Sequence, residues 1–314
     1  MNGLKQFDSL DSNELSELTD VHIAIGMFDG LHLGHQSVIS SAKAAAGEKG
    51  VSGVLTFWPH PSRLFNPVEP TRMILNPEMK RRQMMVQNVD FIVQEPFTKD
   101  LASIPADGFL DYLKGKIPGL KSVHAGENWR FGKSRIGDIE TLIGLGVRCG
   151  VAVEGVSCLG YEGERVSSTR IRSLLKEGEV EKANELLGYA YYSIGTVTQG
   201  KRMGRSIGVP TLNMSFEGDL EPTYGVYVVM LSEVNSKKQY PGVANFGVKP
   251  TVQDDTHPLL EVHLLGDCPF DYGHRLKVDW KAFIRPERRF DGLAALKEQI
   301  EIDIKDARGI LAKI

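Results

Sequence analysis

Val21-His22-Ile23-Ala24-Ile25-Gly26-Met27-Phe28-Asp29-Gly30-Leu31-His32-Leu33-Gly34-His35 is the stretch from which the rest of the chain is read. Its first five residues are mostly apolar, form a short run and are bounded by Gly26, which suits a buried strand. A glycine turn follows. His32 and His35 stand three apart where the next helix begins, on one side of its first turn. Free N–H groups at a helix start favour phosphate. Two imidazole donors beside them suit the phosphate oxygens of a nucleotide while charge builds up during transfer. A lone H-x-x-H pair reads as a surface turn with incidental histidines; at a strand-to-helix junction within G-x-F-D-G-x-H-x-G-H it reads as a functional site.

Outward from this motif, strand-like and helix-like segments alternate. Val38, Ile39, Ala42, Ala45 and Ala46 fall on one face of a helix over 34–48. Strands are expected at Val51–Phe57, Asp90–Val93, Ser122–Ala125 and Val147–Val153, and helices around Arg81–Val86, 106–116 and Asp138–Leu145. Such alternation implies a parallel sheet with helices on both faces. Two short helices, Thr169–Glu177 capped by Ser167 or Ser168 and Glu179–Leu187, close this half, and Gly188 stops the second.

Beyond Gly188 the pattern changes. Short β-rich runs recur at Tyr191–Thr198, Gly225–Leu231, Gln239–Ala244, Leu259–Leu265 and Leu276–Phe283, separated by turn residues. This suggests an antiparallel barrel or sandwich. A last helix carries Leu293, Leu296, Ile300, Ile304, Ala307 and Leu311 on one face, with Asp291 as its expected cap.

The 314 residues amount to about two domains. With 41% apolar and 25% charged residues the composition is that of a folded protein, not a disordered or collagen-like one. No apolar run approaches the ~18 residues of a membrane span. The acidic N-terminus lacks a signal pattern, so export is not expected. Cys149, Cys158 and Cys268 are odd in number and without C-x-x-C spacing, which excludes a disulfide framework and a zinc knuckle and indicates a reduced, cytoplasmic compartment. Residues 1–188 hold 21 basic and 24 acidic residues and 189–314 hold 16 of each, so neither half favours a nucleic-acid partner. Nothing indicates an obligate protein partner.

Three further segments of the first half carry chemistry. Ser167, Ser168 and Thr169 can offer hydroxyls and N–H groups to a phosphate, with Arg170 or Arg172 adding fixed charge; taken alone, the serine run reads first as plain helix capping. Asn128 suits a phosphate or simply a turn. Trp58, Trp129 and Phe131 can wall a flat ring pocket or pack in a core, and His60 between prolines can fix a loop. In the second half Gly195–Asn213 interleaves glycines with Lys201, Arg202 and Arg205, which lets a backbone approach phosphates. Thr211 and Asn213 are hard oxygen donors at spacing two. On a strand they share a face, where Mg²⁺ carrying nucleotide phosphates could sit. A Gly-rich barrel hairpin with a polar edge is the alternative.

The H-x-G-H signature resembles that of the nucleotidyltransferase superfamily. With F-D-G before it, the chain is similar to the bacterial bifunctional riboflavin kinase/FMN adenylyltransferase family, the FAD synthetases. Thr56–Pro61, Gly126–Gly132 and Val166–Arg172 match that family's T-F-x-P-H-P, G-x-[ND]-F-x-F-G and I-S-S-T-x-I-R. In the second half Gly195–Asn213 resembles the riboflavin kinase signature ending in P-T-x-N. Gly225–Tyr227, Gly242–Thr251, Leu260–Leu265, Tyr272-Gly273, Arg285–Glu287 and Phe290 follow in family order. Met27, Trp58, Trp129 and Leu212 depart from the residues expected there.

The resemblance implies α/β + β architecture: a Rossmann-like nucleotidyltransferase domain over 1–188, then a small antiparallel β-barrel riboflavin kinase domain with a C-terminal helix over 189–314. It implies phosphorylation of riboflavin to FMN with ATP, then adenylylation of FMN with a second ATP to FAD and pyrophosphate. His32, His35 and Glu261 would be catalytic, Glu261 as the base on the riboflavin hydroxyl. Gly26, Phe28, Gly34, Ser167, Ser168, Thr169, Arg170 and Arg172 would bind ATP in the first domain, and Gly200, Lys201, Gly204 and Gly208 in the second. Asn128 and Arg285 would contact flavin, and Thr211 and Asn213 would hold Mg²⁺. A monofunctional FMN adenylyltransferase with an inactive, flavin-binding barrel is the alternative.

Overall fold

A computed structural model describes residues 4–199, 208–248 and 258–313. The chain forms two units. One runs to Met73 and resumes over Lys80–Ser168; the other comprises Ile74–Met79 and the chain from Thr169 onward.

The first unit contains β1 (Lys5–Phe7), α1 (Asn13–Ser16), β2 (Val21–Ile25), α2 (Leu33–Ala46), β3 (Val51–Trp58), α3 (Pro61–Phe65) and most of α4 (Pro77–Met85). It continues with β4 (Phe91–Pro96), α5 (Lys99–Ser103), α6 (Phe109–Lys116), β5 (Leu120–Gly126), α7 (Ile139–Cys149), β6 (Ala152–Val156) and a hairpin of β7 (Gly160–Tyr161) and β8 (Glu164–Arg165). The six-stranded sheet has the order β1-β4-β3-β2-β5-β6, and every pairing in it is parallel. Alternation along the strands separates two cores. Ile23, Ile25, Leu55, Phe57 and Val123 meet Phe109, Leu113 and Leu142 on one face. Ala24, Val54 and Ile92 meet Val38, Ile39, Ala42 and Met84 on the other. Helices therefore cover both faces, as the alternation implied.

The second unit contains α8 (Ser168–Glu177) beyond its first residue, α9 (Val180–Leu187), β9 (Tyr192–Thr198), β10 (Leu212–Ser215), β11 (Gly225–Glu233), β12 (Tyr240–Gly247), β13 (Leu259–Leu264), β14 (Arg275–Pro286) and α10 (Leu293–Leu311). Its strands close into an antiparallel barrel, β10-β13-β12-β11-β14-β9. Leu260, Val262, Phe246 and Trp280 fill the interior. Outside, Ala307 of α10 seals Val226, Val228, Val243 and Ala282. Residues 74–79 belong to this unit through side chains: Asn76 donates to the Glu217 carbonyl at 2.7 Å, the Tyr192 hydroxyl donates to the Met79 carbonyl at 2.7 Å, and Arg275 bonds Glu78 and Glu217.

Several local expectations are corrected. The run 147–149 is the last turn of α7, and the strand begins only at Ala152; Gly150, at φ 65°, ends the helix. Val147 looks like a strand opening because it is apolar, yet it is 84% exposed on the outer side of the helix. Asp291 does not cap α10; Gly292 holds that position. Of the two serines expected at the start of α8, Ser168 is its first residue and Ser167 precedes it; the Ser168 hydroxyl donates to the Asp29 carbonyl at 2.9 Å.

Candidate active sites

In the first unit, β2 is flanked by β3 on one side and β5 on the other, so the chain reverses its direction across the sheet beside it. Ligand sites of open parallel sheets form at the carboxyl ends of such strands. The 26–32 turn leaves β2 at that edge. Phe28, Gly30 and Leu31 all have positive φ, at 47°, 76° and 42°. His32 is the N-cap of α2, and its Nδ1 accepts from the His35 backbone N–H at 3.3 Å. That contact leaves the His32 proton on Nε2, where it is available as a donor.

The His35 ring stacks on that of His32, with centroids 3.5 Å apart and 16° between planes. Phe28 meets His35 edge-on at 5.3 Å. Close ring approach explains two glycines: a Cβ on Gly26 would stand 3.2 Å from the Phe28 ring, and one on Gly34 would stand 3.3 Å from the His32 ring. His32 is 5% exposed. Burial first, then the charges of His32, Lys80 and Arg165, hold His35 well below the ordinary imidazole range, so it works as a neutral ring. A helix N-terminus with two stacked imidazoles, of which His35 is held neutral, favours an anion without placing two cations together.

Ser168 joins this turn through Asp29, across 139 residues of sequence. Asn128 is exposed in the turn after β5, with its Oδ1 3.7 Å from Cys158 Sγ. Ser167 is half-buried; Thr169 is exposed, and Arg170 and Arg172 are half-buried on α8. Trp129 and Phe131 stack at 4.9 Å and pack in the core with Phe109. His60 caps α3, accepting from the Ser62 N–H at 3.1 Å.

Sequence reading misses Lys80. It is only 2% exposed, and its Nζ donates to the Met27 carbonyl at 2.5 Å and to Thr56 Oγ1 at 2.6 Å. The available signal is helical spacing: Lys80 stands four residues before buried Met84, so both share the inner face of α4.

In the second unit, Asn213 lies opposite Glu261 in the β10–β13 ladder, and Asn245 lies opposite Glu261 in the β12–β13 ladder. Directly opposed residues share a face. Leu260 and Val262 point into the barrel, so Glu261 and both asparagines lie on its outside. Asn245 Nδ2 donates to Glu287 Oε1 at 3.1 Å, which extends the polar row. Thr211 immediately precedes β10 and is half-buried. The Thr211 hydroxyl and the Asn213 amide oxygen fit a hard cation as a donor pair. Among the described residues no group of three or more His, Cys, Asp or Glu side chains could hold a metal ion.

Gly208 is exposed at φ 82°. Gly200, Lys201 and Gly204 lie outside the described residues, as do Arg202, Arg205 and Lys249–Thr251. Arg285 is engaged within the unit: Nε donates to Asp303 Oδ1 at 2.9 Å, Nη2 to Oδ2 at 2.7 Å and Nη1 to the Pro286 carbonyl at 3.0 Å.

Comparison with known proteins covers both units. Residues 14–170 match the family model described as FAD synthetase, and residues 187–311 match that described as riboflavin kinase. The bifunctional riboflavin kinase/FMN adenylyltransferase of Listeria monocytogenes is 37% identical over 95% of each chain. That of Bacillus subtilis is 38% identical over 91% of this chain and 90% of its own. A crystal structure described as a macrolide-efflux protein from Streptococcus pneumoniae has a TM-score of 0.86 at 28% identity, covering 97% of this chain and 98% of that one. Among the described residues no helix is long and apolar enough to cross a membrane.

Proposed function

The chain belongs to the bifunctional riboflavin kinase/FMN adenylyltransferase family, and on that premise we propose how its residues divide two ATP-dependent reactions. The barrel unit phosphorylates the 5′-hydroxyl of riboflavin, giving FMN. The α/β unit joins FMN to the AMP part of a second ATP, giving FAD and pyrophosphate. The observation that carries the assignment is the pairing of two intact polar constellations: the stacked His32–His35 pair at the start of α2, and the Asn213–Glu261–Asn245 row on the barrel.

In the kinase reaction Glu261 orients the riboflavin hydroxyl and accepts its proton as the oxygen attacks the γ-phosphorus. Thr211 and Asn213 would hold Mg²⁺, which would supply neutralisation of charge on the ATP phosphate oxygens. Gly200, Lys201, Gly204 and Gly208 cradle the phosphates, and Arg285, fixed by Asp303, contacts the flavin. Positioning and electrostatics dominate phosphoryl transfer of this kind.

In the adenylyl transfer an FMN phosphate oxygen attacks the α-phosphorus of ATP and pyrophosphate leaves. His32 and His35 donate to the oxygens on which charge accumulates. Gly26, Phe28 and Gly34 shape the phosphate site. Ser167, Ser168 and Thr169 bind phosphate, Arg170 and Arg172 neutralise the leaving pyrophosphate, and Asn128 contacts the flavin. The attacking phosphate is already ionised, so no general base is required. The substrates, riboflavin, FMN and ATP, and the three free cysteines suit the cytoplasm.

The test is incubation with riboflavin and MgATP followed by chromatography. FAD is the expected product. FAD from added FMN but no FMN from riboflavin would leave a monofunctional adenylyltransferase, and no flavin product from either would overturn the reading.

A further inference from the structure

Three elements of the first unit converge on one carbonyl. Lys80 Nζ, from α4, donates to the Met27 carbonyl oxygen at 2.5 Å and to Thr56 Oγ1 at 2.6 Å. Thr56, on β3, donates its hydroxyl to the same Met27 oxygen at 3.1 Å. From that carbonyl the chain enters the turn in which Phe28, Gly30 and Leu31 take positive φ. Left-handed backbone at Phe28 and Leu31 is unfavourable for side-chain-bearing residues and persists only where surroundings over-determine it. The buried ammonium is one such group, beside Ser168, which donates to the Asp29 carbonyl at 2.9 Å, and Gln36, which donates to the Leu31 carbonyl at 2.9 Å. The ammonium ties the start of the turn to β3, and the turn in turn sets Phe28 edge-on to His35 and His32 at the cap of α2.

We infer that Lys80 is a positioning residue for adenylyl transfer, its ammonium fixing the Met27–Leu31 turn and through it the stacked His32–His35 pair. Without the ammonium, the Met27 carbonyl loses its tie to α4 and the start of the turn is held by the weaker contact from the Thr56 hydroxyl at 3.1 Å. Small displacements of groups aimed at a reacting phosphate are costly, up to about 100-fold in rate per ångström. Lys80 also acts through its charge. Burial pulls it down to about 8 while Asp29 opposes that pull, so it remains mainly protonated at neutral pH. The groups that face His35 are His32 against its ring, Lys80 from α4 and Arg165 from β8, and all three disfavour its protonation alongside burial.

This inference rests on His32 and His35 being the adenylyl-transfer site, and its test separates the two ideas. In the full-length protein Lys80→Met should lower kcat for FAD formation from FMN and ATP by about 10- to 100-fold, leave FMN formation from riboflavin unchanged, and move the His35 imidazole titration, followed by NMR, to higher pH. Wild-type kcat in Lys80→Met overturns the inference. So does a lowered kcat with His35 titrating unmoved, which would mean a merely structural lysine. If Lys80→Met loses the kinase as well, Thr56→Val decides. A loss of at least about threefold in FAD formation with normal kinase activity supports the three-way clasp, and wild-type FAD formation rejects it. The His32→Ala/His35→Ala protein runs alongside: if it still makes FAD, the site reading falls and this inference with it. If it is inactive while Lys80→Met is normal, only the role of Lys80 falls.

Discussion

Glu261 stands directly across the β10–β13 ladder from Asn213, so the carboxylate proposed as base and the amide proposed as metal ligand share the outer face of the barrel. Had the register slipped by one residue, Glu261 would face the interior among Val262 and its neighbours. The buried alternation of Leu260, Val262 and Leu264 prevents that slip.

This arrangement predicts a selective defect. Glu261→Gln keeps size and most hydrogen bonding but removes charge and basicity. Riboflavin phosphorylation should slow by at least about tenfold, the lower part of the range for general-base help, because a loose transition state needs little proton removal. FAD formation from supplied FMN should continue at the normal rate. Wild-type kinase turnover in the Gln variant would leave Glu261 an ordinary strand carboxylate.

A second expectation concerns the Arg285–Asp303 pair. Asp303 is 2% exposed, and Gln299 Nε2 also donates to its Oδ1 at 2.7 Å. Removing one partner of a buried, hydrogen-bonded ion pair strands the other charge, typically at about 3–5 kcal/mol. Asp303→Ala should therefore lower the urea midpoint of the barrel unit, while Arg285→Met/Asp303→Leu together should recover much of the loss. Equal midpoints for wild type and Asp303→Ala would show that the pair does not anchor α10.

Much of the fold was legible because its signals are local. Val21–Ile25 is read to the residue, since a parallel strand buried on both faces needs a short apolar run with a glycine stop. The five barrel strands expected from the sequence agree with the observed ones to within three residues at every end. The four-residue β10 was not read as an element of its own, although spacing suggested that Thr211 and Asn213 share a face. Other features depend on tertiary partners. The face of α10 reads as Leu293, Leu296 and Ile300, yet Leu293 is exposed, and the buried stripe includes Gln299 and Asp303 because Arg285 reaches it. Lys80 is not singled out in the sequence; only the meeting of β3, α4 and the 26–32 turn gives it a buried role. Glu261 is ordinary by composition and spacing, and the family resemblance alone singles it out.

Alanine at both His32 and His35 should abolish FAD formation and leave riboflavin phosphorylation intact. One preorganised donor to developing charge is worth about 10²–10³ in rate. The stacked geometry means that either single substitution also disturbs the other ring, so the two effects should combine less than additively. Turnover of FMN in single and double variants measures this. Parallel loss of both activities in folded protein would contradict the assignment.

The last expectation concerns acid stability and comes from a buried chain of hydrogen bonds behind α2. His22 Nδ1 meets Ser122 Oγ at 2.7 Å, Ser122 Oγ meets His124 Nε2 at 2.7 Å, and His124 Nδ1 meets Ser41 Oγ at 2.8 Å. Asp20 closes the far end, its Oδ1 3.3 Å from His22 Nε2. If His22 donates to Asp20, every link has one direction: Ser122 donates to His22, His124 donates to Ser122, and Ser41 donates to His124. That pattern requires neutral His124. Burial, and then the charge of His22, lower its pKa to about 4, and the side chain is 4% exposed. An unfolded histidine titrates near 6.5. Between these values the unfolded chain binds the proton that the folded one refuses, so stability must fall as pH drops from about 6.5 towards about 4. Buried His35, also held well below its ordinary range, adds a slope of the same sign. Urea unfolding of the α/β unit in the full-length protein, measured from pH 7 to pH 4.5, should show this loss. His124→Gln keeps polar contacts to the two serines but cannot titrate, so its stability should depend less steeply on pH, with the remainder due to His35 and other groups. An identical pH slope in the Gln variant would mean that His124 is protonated as readily in the folded chain as in the unfolded one.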